Sequence, residues 1–258
     1  MDNQLIRPGK GISQEVLKLL ACITMLLDHI GAILILILYQ NAAAAISSHD
    51  AFLRELYQIL RIVGRLAFPI YCFLLSEGVH HTRSPKQYCL RLLIAAVIAE
   101  LPYDLALRGG FTWEKQSVMV TLLLGFLALE SMKRCPQLLF KLLIPLPFAW
   151  LAGKLRCDYG ANGIYLMALF FLTREIRYAP LIQLLGMWFL FSPGHRMALN
   201  WLDGFTLTTQ EWAVLSVIPI ALYSGEKRYR SKGLQWTFYL FYPVHLTILW
   251  ILKGVIHG

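Results

Sequence analysis

Leu17-Lys-Leu-Leu-Ala-Cys-Ile-Thr-Met-Leu-Leu-Asp28-His29-Ile-Gly-Ala-Ile-Leu-Ile-Leu-Ile-Leu-Tyr39 decides the fold. The run is long enough to cross a bilayer as a helix, which takes about 20 apolar residues. An acid and an imidazole nonetheless stand side by side within it. A charged group near the bilayer centre costs about 2.5–3.5 kcal/mol on insertion scales, so an ionisable residue at that depth marks a functional site by default. The stretch predicts a membrane helix with chemistry inside it. The plainer alternative is a polar pair that only glues helices together.

The rest of the chain fits the membrane half of that reading. With 57% hydrophobic and 15% charged residues and a mean hydropathy of +0.56, it is too apolar for a soluble domain, where about a quarter of residues are charged. About nine spanning segments are predicted, near 14–39, 53–76, 87–101, 117–132, 137–153, 161–173, 180–192, 211–223 and 235–253, giving an all-α, polytopic helix bundle. With the N-terminus in the cytoplasm, 15 of the 24 Lys and Arg fall in the N-terminal tail and the loops after even-numbered helices, as the positive-inside rule requires. Topology thus accounts for the net charge of +9, and nucleic acid is not expected as a partner. No linker or repeat divides residues 1–258, so a single integral-membrane domain is expected in a bacterial cytoplasmic membrane. Ala42 to Ala45 resembles a cleavage site, but the apolar run before it exceeds a signal-peptide core of about 7–15 residues, which predicts a retained anchor. The five cysteines read as free thiols.

The polar residues within the helices carry the functional expectation. Lys18, Cys22, Met25 and His29 recur at three- and four-residue steps and share one face, while Asp28 lies about 100° round. The group that orients the His29 ring is therefore expected from another helix. In the second segment, Arg61, Arg65, Cys72 and Ser76 form one stripe, and Pro69 predicts a kink. Arg65 is suited to holding a phosphate or developing oxyanion charge, or to an internal ion pair with Asp28 or Glu77. Glu100, Tyr103 and Asp104 end the third segment at the non-cytoplasmic boundary. Asp158 stands before the sixth, where an N-cap role is expected. Tyr242 and His245 lie three apart on the last helix beside Pro243. A metal centre is not expected: His80 and His81 are adjacent rather than four apart, and no CxxC occurs.

Taken together, Leu17 to Gly31 with Asp28-His29, Gly64-Arg65-Leu-Ala-Phe-Pro69 running to Glu77-Gly78, Glu100-Leu-Pro-Tyr-Asp104, Val118 to Gly125, Asp158-Tyr-Gly160 and Tyr242-Pro-Val-His245 resemble the TraX family over nearly the whole chain. The family is named for a conjugative-plasmid protein that acetylates the N-terminus of F-type pilin. It is similar to the transmembrane acyltransferases, which place a His in the first helix and draw on cytoplasmic acetyl-CoA. The resemblance implies an acetyltransferase with acetyl-CoA as co-substrate and pilin or another envelope molecule as acceptor. His29 would be general base or acetyl carrier, with Asp28, Arg65 and His245 in the catalytic group. Arg61, Arg65, Lys227, Arg228 and Arg230 would bind the donor. Glu77, Glu100, Tyr103, Asp104, Asp158 and Tyr242 would serve the acceptor or the released proton. Two other classes stay open: a proton-coupled transporter, whose buried charges would form a relay, and a non-enzymatic membrane subunit of a pilus assembly.

Overall fold

The structure, a computed structural model, describes residues 11–44, 50–192, 210–226 and 232–257. Helix occupies each of the nine predicted segments. Among the described residues the only strand-like pairings are two isolated bridges, Ile12 with Tyr223 and Gln116 with Cys157.

Helix α1 (Gln14–Ile30) starts behind Ser13, whose Oγ accepts the Val16 N–H at 3.5 Å. It runs through a π-helical turn (Gly31–Ile35) into α2 (Leu36–Ala44). Such turns are rare and concentrate at functional positions, and this one begins two residues after His29. The predicted second helix is two, α3 (Asp50–Gly64) and α4 (Ala67–His81), broken at Arg65 and Leu66. Pro69 explains the position of the break. It offers no N–H to the Arg65 carbonyl four residues upstream, and its ring crowds that carbonyl. Gly64 fixes how closely α3 approaches α1, since a Cβ there would run into the Asp28 side chain.

Helix α5 (Pro85–Arg108) opens on a proline in its first turn and stops at Gly109, whose φ of 80° is the left-handed cap glycine favours. Helix α6 (Val118–Arg134) follows. The predicted segment 137–153 is divided into α7 (Leu138–Leu143) and α8 (Pro145–Lys154), because Pro145 cannot continue the hydrogen-bond ladder. Then come α9 (Gly160–Thr173), α10 (Ala179–Phe191), a 3₁₀ stretch (Glu211–Ser216) leading into the short α11 (Val217–Ala221), and α12 (Lys232–His257).

The core gathers around α9, whose Ile164, Leu166, Met167 and Phe170 are buried against α4, α6, α8 and α10. Helix α12 lies along α5 and touches α1. Among the described residues, three helical stretches are long and apolar enough to cross a membrane: Gln14–Ala42, Ala51–His81 and Trp236–Ile256. Helix α5 has the length, but Arg91, Glu100 and Asp104 interrupt its apolar character. Large apolar side chains nevertheless cover the outside of the bundle, among them Val97, Trp150, Leu185, Phe189, Ile248 and Val255. Patches of this extent are rare on soluble monomers. All five cysteines are free.

The connections sort to two ends. At one, the Ile12 N–H donates to Leu222 O at 2.8 Å and the Gln14 N–H to Glu226 O at 3.0 Å. Lys133 Nζ donates to Val79 O at 2.7 Å, Arg174 Nε pairs with Glu77 at 2.7 Å, and Tyr223 lies near both Glu77 and Arg174. At the other end, Lys115 pairs with Asp158 at 2.7 Å and Lys253 donates to Ala106 O at 3.3 Å.

Candidate functional site

His29 meets a residue 216 positions away: its Nδ1 lies 2.6 Å from Nε2 of His245 on α12. The His245 Nδ1 is in turn 2.6 Å from the Phe241 carbonyl one turn back on its own helix. A carbonyl can only accept, so His245 Nδ1 carries a proton. In the neutral ring Nε2 is then a lone pair, and it is His29 Nδ1 that donates to it. The tautomers follow from the network. They leave the lone pair of His29 on Nε2, the atom a general base needs. The rings stack with centroids 4.9 Å apart, and Tyr242 meets the His29 ring edge-on at 5.9 Å. Phe241 packs on the far side of His245 at 4.9 Å. The brace for His29 thus comes from another helix, and both His245 and Tyr242 join it.

Asp28 faces the other way. Its Oδ1 accepts from Arg65 Nη2 at 2.7 Å and its Oδ2 from Arg61 Nη1 at 2.8 Å. Arg65 Nε donates to the Arg61 carbonyl at 3.2 Å, and its Nη1 to Gln210 Oε1 at 2.9 Å. Tyr159 faces Gln210 and stacks on Phe68 with ring centroids 3.6 Å apart. Two guanidiniums on one carboxylate leave a local charge of +1 beside the histidine pair. The internal ion pair expected for Arg65 is therefore made with Asp28, not Glu77.

A cavity of about 250 Å³ connects the groups. Asp28, His29 and Tyr242 line its middle, Asp158 and Tyr159 one end, and Lys18, His81 and Arg91 the other. Neither His245, Arg61 nor Arg65 lines it, so these three act on the cavity through His29 and Asp28. The predicted face of α1 is realised: Lys18, Met25 and His29 line the cavity, and Cys22 touches the Tyr71 hydroxyl at 3.1 Å.

The other predicted positions divide. Glu77 is held by Arg174 at 2.7 Å and approached by His81 at 3.4 Å, outside the cavity lining. Glu100 accepts from the Ser117 N–H at 3.0 Å and the Ser117 hydroxyl at 2.6 Å, closing the start of α6. Asp104 accepts the Thr112 N–H at 2.9 Å. Tyr103 is buried nearby and also does not line the cavity. Asp158 does line it, but it is not the N-cap expected of it. Tyr159, at φ 61°, takes that position without a side-chain cap, while the Asp158 carboxylate goes to Lys115. The Cys157 thiol beside it is pushed up to about 11 by burial and by the Glu100 and Asp158 carboxylates. Lys227, Arg228 and Arg230 lie outside the described residues. Sequence reasoning missed Arg91, Tyr71, Tyr159 and Gln210. Of these, only Arg91 carried a signal, as a cation near the start of an apolar helix.

The fold and site define an all-α protein with membrane-length apolar helices around a buried histidine pair and an adjoining ion cluster. Residues 13–253 match the TraX protein family, and the chain belongs to it. It is 33% identical over 244 residues, 90% of this chain and 92% of the relative, to the "Probable fimbrial assembly protein FimC, serogroup H1" of Dichelobacter nodosus. It is also 29% identical over 121 residues, 47% of this chain and 38% of the relative, to an uncharacterized protein of Rickettsia prowazekii (strain Madrid E). No solved structure matches.

Proposed function

We propose that this chain is a membrane-embedded acetyltransferase that takes acetyl groups from cytoplasmic acetyl-CoA and passes them to an amine or hydroxyl of an envelope molecule, with pilin the leading acceptor. The observation that carries the reading is the ordered pair His29 and His245, whose hydrogen bonds leave the free lone pair on the ring that lines the cavity. Membership of the TraX family and the fimbrial assembly name of a relative support the pilus context.

In this reading the bundle crosses the bacterial cytoplasmic membrane nine times with the N-terminus inside. The sorting of connections to two ends supports it, since Lys133, Arg174 and the N-terminal segment gather at one end, where positive-inside charge belongs. The apolar exterior of α5, α8 and α10 supports lipid contact beyond the three longest stretches.

The cavity suits a thin acyl-bearing arm. At about 250 Å³ it falls just under the 300–1,000 Å³ of a typical small-molecule pocket, so the nucleotide end of the donor would stay at the mouth. When bound, acetyl-CoA supplies an activated acyl carbon with a thiol leaving group. His29 Nε2 removes the proton from the acceptor amine or hydroxyl, and that proton is later returned to the leaving sulfur. His245 fixes the tautomer and orientation of His29, which is what a general base requires. The cluster of Asp28, Arg61 and Arg65 holds α1 to α3 and α4 and contributes positive potential where oxyanion charge would develop.

The test is transfer of radiolabelled acetyl from acetyl-CoA in membranes holding equal amounts of wild type or His29→Ala. Label lost in His29→Ala is the expected result, and wild-type-like transfer would remove His29 from the mechanism. If wild type transfers nothing to envelope extracts or pilin, a proton flux measured in reconstituted vesicles would favour the relay reading instead.

A further inference from the structure

The mouth of the cavity carries cations at the end away from its acids. We propose that Arg91, flanked by Lys18 and His81, forms a phosphate site that takes the phosphate on the pantetheine arm of the acyl donor. The assignment rests on the acetyl-CoA reading above and moves donor recognition from loop cations to the cavity wall.

Arg91 sits in the second turn of α5, with its guanidinium 5.7 Å from the Tyr88 ring centre and the Tyr239 phenol facing it. Its guanidinium hydrogen-bonds the Tyr239 phenol, while its Nε is buried and has no partner among the described residues. Leaving a buried charged donor unmet is costly, and a guanidinium cannot relieve the cost by losing its proton. A ligand with acceptor oxygens would meet it. The carboxylates that line the cavity are Asp28 and Asp158. Asp28 is neutralised by two arginines and Asp158 by Lys115. Glu77 approaches His81 but is held by Arg174. Lys18, His81 and Arg91 bring three basic side chains to the mouth of the cavity.

Length supports the same ligand. Lys18 and His29 share one face of α1 and both line the cavity. Eleven residues at 1.5 Å each separate them by about 16 Å along the axis. A phosphopantetheine arm spans a comparable length from phosphate to sulfur. A phosphate at the mouth thus brings a thioester to the level of the histidine. A lipid headgroup offers the same phosphate chemistry but no acyl thioester at that depth.

The test is equilibrium binding of radiolabelled CoA to the full chain in phosphatidylcholine nanodiscs, with 4′-phosphopantetheine and pantetheine as competitors. For wild type, 4′-phosphopantetheine should compete better than pantetheine by about tenfold. Arg91→Ala should weaken CoA and 4′-phosphopantetheine about tenfold and pantetheine less than twofold, with Arg91→Lys between. Arg83→Ala, exposed and absent from the cavity lining, should stay within twofold throughout, and the same gel-filtration profile guards against misfolding. Unchanged CoA affinity in Arg91→Ala, or an equal loss for pantetheine, overturns the site. So does displacement of CoA by phosphatidylglycerol in wild type but not in Arg91→Ala, which would give the site to a lipid. Wild type that binds no CoA would overturn the acetyl-CoA reading itself.

Discussion

Neutralising Asp28 should cost the fold more than it costs any single contact. Its two oxygens bind Arg65 at 2.7 Å and Arg61 at 2.8 Å, and the side chains of Asp28, Arg65 and Arg61 are 14%, 10% and 23% exposed. All three charges are mostly withdrawn from water. Removing one member of a buried pair costs about 3–5 kcal/mol, chiefly because the remaining charge is stranded. Arg61 keeps some access to solvent and Asn keeps one acceptor oxygen, so we take about 3 kcal/mol for Asp28→Asn. A chain of this size loses about 2–4 °C in Tm per kcal/mol, which gives a drop of about 6–12 °C. The measurement is thermal unfolding in detergent micelles, run as a cycle of Asp28→Asn, Arg65→Gln and the double variant. Removing both charges should recover part of the loss, with a coupling above about 0.5 kcal/mol. Additive losses, or an Asp28→Asn protein within about 0.5 kcal/mol of wild type, would refute the picture of a desolvated cluster.

Three further outcomes follow from the same geometry. Gly64→Ala should lower stability by about 1–3 kcal/mol, because the new methyl meets the Asp28 side chain; a Tm within 1 °C of wild type would mean that α1 and α3 can part freely. His245→Asn should reduce acetyl transfer at least about tenfold with the KM for acetyl-CoA unchanged, and an unchanged kcat would remove His245 from the orientation of the base. Cys157, raised to about 11 from an ordinary value of 9.0, has less thiolate than a free cysteine at every pH below that range. Iodoacetamide should therefore modify it slowly at pH 8 and faster as pH climbs through 10 to 11, whereas rapid modification at pH 8 would contradict its buried, acid-flanked setting.

Sequence periodicity located the helices well because apolar runs and loop cations are local signals. It could not find the breaks inside them with equal ease. The interruption at Arg65 lies four residues before Pro69, at the carbonyl the proline abandons, and the π turn at Gly31–Ile35 has no compositional mark. The site was legible where a residue violated its surroundings. Asp28, His29, Arg65 and His245 are all conspicuous in apolar helices. Acids at helix ends were harder to read: Glu100 is held by Ser117, Glu77 by Arg174, and Asp158, which does line the cavity, by Lys115, and nothing in the sequence distinguishes such a tether from a ligand site. Gln210 and Tyr159 carry no charge and reach Arg65 from distant segments, so only the fold reveals them.

The adjacency of Asp28 and His29 has a structural consequence that a spaced pair would lack. One residue step turns a helix by about 100°, so neighbours cannot share a partner, and each must be satisfied by a different element. Asp28 takes the arginines of α3 and the break before α4, and His29 takes His245 of α12. A single turn of α1 thereby joins the two ends of the chain's sequence around one cavity. The assignment of labour follows from the charges. The acid is already engaged by two permanent cations, whereas the hydrogen bonds of the imidazole pair leave a lone pair on the cavity side. Moving the acid to position 25 or 32 would put both groups on one face, let the carboxylate bind the imidazole directly, and strand Arg61 and Arg65 without a counterion. The pairing at 28 and 29 instead gives His29 to His245 and keeps both arginines paired, the arrangement that the proposed general-base role of His29 requires.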